Sequence, residues 1–64
     1  MRVEIINHDH LAINLNLDTI PRIDETINIA LSEGGSISGV VNFIEHNISQ
    51  NNNDHYVIIF LRPA

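Results

Sequence analysis

Leu11-Ala12-Ile13-Asn14-Leu15-Asn16-Leu17-Asp18 is the stretch that decides the fold. Leu11, Ile13, Leu15 and Leu17 point one way; Ala12, Asn14, Asn16 and Asp18 point the other. Strict period two belongs to a strand with one buried face, whereas a helix would scatter these four apolar residues around its surface. Upstream, Met1 to Asn7 alternates in the same way, with Met1, Val3 and Ile5 on the apolar side. His8-Asp9-His10 is short and polar, the length of a hairpin loop. Downstream, Thr19 to Glu25 breaks the alternation. Pro21 cannot donate to a ladder and pushes Ile20 towards an extended conformation. Ile20 and Ile23 are expected to tuck beneath this loop.

Thr26 to Leu31 resumes period two, with Ile27, Ile29 and Leu31 inward. Ser32-Glu33-Gly34-Gly35-Ser36 reads as a glycine-bearing turn. Ile37 to His46 is a fourth strand of ambiguous phase, because Val40-Val41 and Phe43-Ile44 are adjacent apolar pairs. Gly39 is the expected place for a bulge or bend. A helix over Ile37 to Ser49, striped by Val41, Ile44 and Ile48, is the alternative; Ser38-Gly39-Val40-Val41 disfavours it by propensity. Asn47 to Asp54, with Asn51-Asn52-Asn53, reads as a loop tip that Ile48 could anchor. His55 to Arg62 is the last strand, and Pro63 stops it.

Sixty-four residues allow a single domain, residues 1–64. Twelve Ile and nine Asn dominate the composition, and β-branched residues favour strands. The expected fold is all-β: a small five-stranded antiparallel meander or, curled on itself, an SH3-like partly open barrel. With no Cys there is no disulfide and no thiolate zinc site. A net charge of -5 argues against duplex nucleic acid as a partner. No apolar run approaches the roughly 20 residues of a membrane helix. Met1-Arg2-Val3-Glu4 does not resemble a signal peptide, so a cytoplasmic location is expected.

The closing strand is apolar on both faces: Tyr56, Ile58 and Phe60 on one, Val57, Ile59 and Leu61 on the other. Such a strand must be covered twice, and one barrel has one interior. A second copy of the chain is the simplest cover, so a homo-oligomer is expected, with Val57, Ile59 and Leu61 at the interface.

Chemistry-bearing residues are few. His8-x-His10 presents two imidazoles on one side of an extended segment, and Asp9 or Asp54 could join them around a metal. No metal motif of specific spacing is present, and these histidines read as polar loop residues; no metal and no cofactor is expected. Ser32, Ser36, Ser38 and Ser49 lack an elbow motif, and there is no Cys or Lys nucleophile, so no catalytic residue is assigned. Gly34-Gly35 lacks the spacing of a phosphate loop. Every fixed cation is an arginine: Arg2, Arg22 and Arg62. Arginine grips anions bidentately, and Tyr56 could stack on a base or hydrogen-bond from a rim. These four are the candidate ligand-binding residues.

Ile20-Pro21-Arg22-Ile23-Asp24-Glu25-Thr26-Ile27, the glycine hairpin and the closing Val57-Ile58-Ile59-Phe60-Leu61-Arg62-Pro63 together resemble small uncharacterised β-barrel proteins of phages and mobile elements. In those a Pro-Arg-Ile/Val-Gly-Asp/Glu loop precedes a strand, and the chain ends on a strand closing in Leu-x-Pro. This chain departs at position 24, with Asp where that family often has Gly. The resemblance implies an accessory cytosolic protein, often an inhibitor or adaptor, without catalytic residues. Two functions follow. The first is a non-catalytic oligomer that sequesters a small anionic, nucleotide-type signal between subunits, as phage counter-defence proteins do. The second is a protein–protein inhibitor or adaptor whose acidic surface meets a basic protein partner.

Overall fold

Period-two patterning emerges as five strands. A computed structural model describes residues 1–52 and 54–64: β1 (Arg2–Ile6), β2 (Ala12–Asn16), β3 (Thr26–Ala30), β4 (Ser36–Ile48) and β5 (His55–Arg62), with no helix among the described residues. The segment expected to be helical in the alternative reading is strand throughout β4. Asn53, in the expected loop tip, lies outside the described residues.

All five strands form one sheet in the order β2-β1-β5-β4-β3. The β1–β2, β3–β4 and β4–β5 pairs are antiparallel, but β1 and β5 run parallel, with Arg2 opposite Tyr56 and Ile6 opposite Phe60. The sheet is therefore a curled, partly open barrel of mixed strands and not a simple antiparallel meander. In a meander β2 and β3 would be neighbours; here they are the two edges. The reason is burial: β5 carries the most continuous apolar run, and the centre of the sheet is where it is best covered.

The interior lies on the concave side. Val3, Ile5, Val41, Val57 and Ile59 are fully buried there, joined by Ile37 and Leu61. Ile13, Leu15, Leu17, Ile20, Ile27, Ile29, Leu31 and Ile44 pack around them half-buried. Val57, Ile59 and Leu61 are thus core residues. Their expected role at an oligomer interface is corrected: curling the sheet covers this face of β5 from within the chain, and the opposite face, Tyr56, Ile58 and Phe60, is the one left outside. Ile20 packs as expected, whereas Ile23 is half-exposed and Ile48, the expected anchor, is 71% exposed.

The ambiguous phase of β4 has a physical origin. The register against β5 slips between Val41 and Phe43, so Asn42 is an extra, bulged residue. A bulge inserts one residue and resets the alternation. Val41 faces in opposite Leu61, Phe43 faces out opposite Phe60, and Ile44 faces in opposite Ile59. Gly39, expected to mark a bulge or a bend, is not the bulged residue. A Cβ there would stand 2.9 Å from the Arg62 carbonyl oxygen and 3.1 Å from Leu61 Cβ, so only glycine lets β5 come this close. Asp24 holds φ +73°, in the left-handed region that short polar side chains tolerate best after glycine.

The two faces of β5 predict opposite mutational behaviour. Ile59→Ala should cost about 2–5 kcal/mol of stability by opening a core cavity, enough to unfold much of so small a domain. Ile58→Ala, one residue away on the outer face, should cost well under half as much. Urea titrations followed by circular dichroism check this, and equal losses would contradict the face assignment.

Candidate functional site

The site is built from the two edge strands. Across the opening of the curl, β2 and β3 run antiparallel to each other, because each follows from the strand directions between them. No Cα of β2 lies within 8 Å of one in β3, whereas paired strands sit about 4.7–4.9 Å apart. The lips are therefore unpaired. Between them lies a groove of about 580 Å³. Leu11, Ile13 and Leu15 form one wall, Ile29 and Leu31 the other, and Glu33 sits at its end.

Hydrogen-bond register tells which backbone groups face the opening. The Met1 ammonium donates to Leu17 O, the Leu17 amide donates to Met1 O, and the Asn7 amide donates to Leu11 O. In an antiparallel pair, bonded and non-bonded residues alternate. The odd residues of β2 thus bond to β1, and Ala12, Asn14 and Asn16 aim their N–H and C=O groups away from it. On the other lip the Leu31 amide donates to Gly35 O and the Val41 amide to Glu25 O. The odd residues of β3 thus bond to β4, and Thr26, Asn28 and Ala30 aim outward. Sheet edges are commonly guarded by lysine, proline or inward charge. These six residues include none of those; the only guard is length, five residues in each strand.

Arginine is arranged differently from expectation. Arg2 bonds Asp54 at 3.3 Å, and its guanidinium lies 5.1 Å from the centre of the Tyr56 ring. Arg2 and Tyr56 are therefore brought together, with the ring face covered by the cation. Arg62 is at the far end of β5, six residues along, about 20 Å at strand rise. There it donates to Asp24 Oδ1 at 2.8 Å, and also to Asn42 Oδ1 and Val41 O at 3.3 Å. Arg22 is exposed in the Pro21 loop; its backbone amide donates to Glu25 Oε1 at 2.6 Å. One protomer does not bring the three arginines together, and none of them lines the groove.

His8 and His10 are exposed in the first hairpin loop, where His10 takes φ +69°. No group of three or more metal-ligating side chains gathers among the described residues. An unexpected histidine contact occurs elsewhere: His46 Nδ1 and His55 Nε2 are 3.0 Å apart across β4 and β5. One ring must accept, so the pair shares a proton on one nitrogen. Their sequence separation of nine gives no motif, and only the β4–β5 register places them together. No helix among the described residues is long and apolar enough to cross a membrane.

Compared with known proteins, the chain matches no family model, no curated protein and no solved structure.

Edge freedom has a direct signature. In amide hydrogen exchange, Ile13, Leu15, Ile27 and Ile29 should be protected. Ala12, Asn14, Asn16, Thr26, Asn28 and Ala30 should exchange at least about tenfold faster, since their amides have no ladder partner. Uniform protection along either strand would show that the edge is already paired.

Proposed function

We propose that the protein is a non-catalytic binding module that captures an extended segment of a partner protein in the groove between β2 and β3. The adaptor or inhibitor reading of the sequence becomes concrete here as strand addition. The observation that carries it is the pair of unguarded lips. Each presents alternate outward N–H and C=O groups beside aliphatic walls, the arrangement by which sheet edges take up a peptide. An inserted strand lies antiparallel to one lip and parallel to the other. Its inward side chains meet Ile13, Leu15, Ile29 and Leu31, so alternate aliphatic residues suit it. Glu33 at the groove end and the net charge of -5 favour lysine or arginine at the intervening or flanking positions.

Sequestration of a small anionic signal has less support. Arg2 and Arg62 are engaged by carboxylates about 20 Å apart, and the charged side chain lining the groove, Glu33, is an acid. The accessory role that the Pro21-loop resemblance implies, in a phage or mobile element, is compatible with either ligand.

A short fluorescein-labelled peptide alternating valine and lysine tests the proposal by fluorescence anisotropy. Saturable binding is expected. Asn14→Pro should weaken it at least about tenfold by removing an outward N–H. The same substitution should leave the fold intact, because proline is tolerated where an edge amide faces solvent. Binding that survives both Asn14→Pro and Asn28→Pro, or the absence of binding to any such peptide, would overturn the proposal.

A further inference from the structure

The end of the sheet where β4 turns into β5 carries chemistry that the groove does not use. His46 stands opposite Val57 and Ile48 opposite His55, so the two histidines are diagonal neighbours on the face that carries Val57 and Ile59. Diagonal positions of an antiparallel pair lie within reach of long and aromatic side chains. Here His46 Nδ1 and His55 Nε2 meet at 3.0 Å, with the ring centroids 5.2 Å apart and the planes tilted by 37°. Just beyond them the Ser49 amide donates to Asp54 O at 2.8 Å and closes the hairpin. The backbone thus holds both positions in register before any ligand arrives.

Two imidazole nitrogens at this spacing can be bridged by a proton or by a metal ion. With metal–nitrogen bonds of about 2.0–2.1 Å, the separation of 3.0 Å subtends about 95° at the metal. A tetrahedral ion would need a separation of about 3.3–3.4 Å. The near-right-angled bite suits the tetragonal geometry of copper(II) or nickel(II), and copper(II) is the tightest binder among the first-row divalent ions. Access and charge agree with this. His46 is exposed and His55 half-buried, so an ion reaches both from solvent. Arg2 stands opposite Tyr56, one residue along from His55 and therefore on the other face. The net charge of -5 draws cations to the chain. No third His or carboxylate gathers with the pair among the described residues, so the remaining coordination positions fall to water.

We propose that His46 and His55 form a chelating site for a late first-row divalent metal ion, copper(II) foremost, bound through His46 Nδ1 and His55 Nε2. The ion takes the place of the shared proton. The ring that donated that proton stays neutral by carrying it on its other nitrogen, the tautomer that metal ligation requires. Neither histidine lines the groove, so the site stands whether or not the groove binds peptide.

Copper(II) chloride titrated into the untagged full chain tests it, followed by electron paramagnetic resonance and by thermal unfolding. The tightest equivalent should show nitrogen couplings from two imidazoles. It should also raise the melting temperature, since an ion held only by the folded chain stabilises the fold. His46→Ala should weaken this binding at least about tenfold and remove the rise in melting temperature. Its circular-dichroism spectrum should be unchanged, because the residue is exposed. His55→Ala should weaken binding similarly. His8→Ala combined with His10→Ala should leave the tightest equivalent unaltered. Absence of saturable copper(II) binding would overturn the proposal. So would binding indifferent to both His46→Ala and His55→Ala, or binding lost with the His8 and His10 substitutions, which would place the ion on the first hairpin loop.

Discussion

Everything in this structure depends on the parallel ladder between β1 and β5. Joining the first strand to the last puts the most apolar strand in the middle and closes the interior with residues from both chain ends. Val3 and Ile5 stand opposite Val57 and Ile59, and all four are fully buried. Each such side chain contributes about 1.5–3 kcal/mol of burial, and no disulfide or metal motif backs them up. A chain of this length has little reserve, so losing one rung of this ladder is a loss to the whole fold.

That pairing also decides what remains unsatisfied. With β5 central, β2 and β3 become edges that face each other across an opening wider than a hydrogen-bonded pair. The core is therefore lined on its open side by half-buried aliphatic residues and by two rows of unpaired backbone groups. The opposite face of the sheet, relieved of any helix or second layer, keeps its aromatic centre in water. Groove and outer face are two consequences of the same topology. They differ in chemistry: one offers backbone and the other offers side chains.

Much of this was legible in the sequence. Strict alternation in Leu11 to Leu17 and in Thr26 to Leu31 is a local property and predicts strands and inward residues well. The doubled apolar pattern of Tyr56 to Leu61 marked a strand with two apolar faces, and the chain itself covers one of them, Val57, Ile59 and Leu61. Which face lies inside was not legible, because both are apolar and period two is blind to the sign of curvature. The parallel β1–β5 pair was equally hidden: alternation describes a strand's faces and not its neighbours. In β4 the adjacent pairs Val40-Val41 and Phe43-Ile44 were the trace of a bulge, but the signal pointed as readily to Gly39 as to Asn42. The arginines were singled out for their chemistry. Their separation follows from strand direction, which residue type cannot reveal. The groove was missed for the same reason: its walls are ordinary core-facing residues, and its polar component is main chain.

Through-hydrogen-bond scalar couplings, measured by NMR on isotope-labelled protein, would map directly which amide bonds to which carbonyl. Couplings linking β5 to β1 in parallel register and to β4 in antiparallel register are expected, with none between β2 and β3. Couplings joining β2 to β3, or an antiparallel pattern between β1 and β5, would contradict this topology.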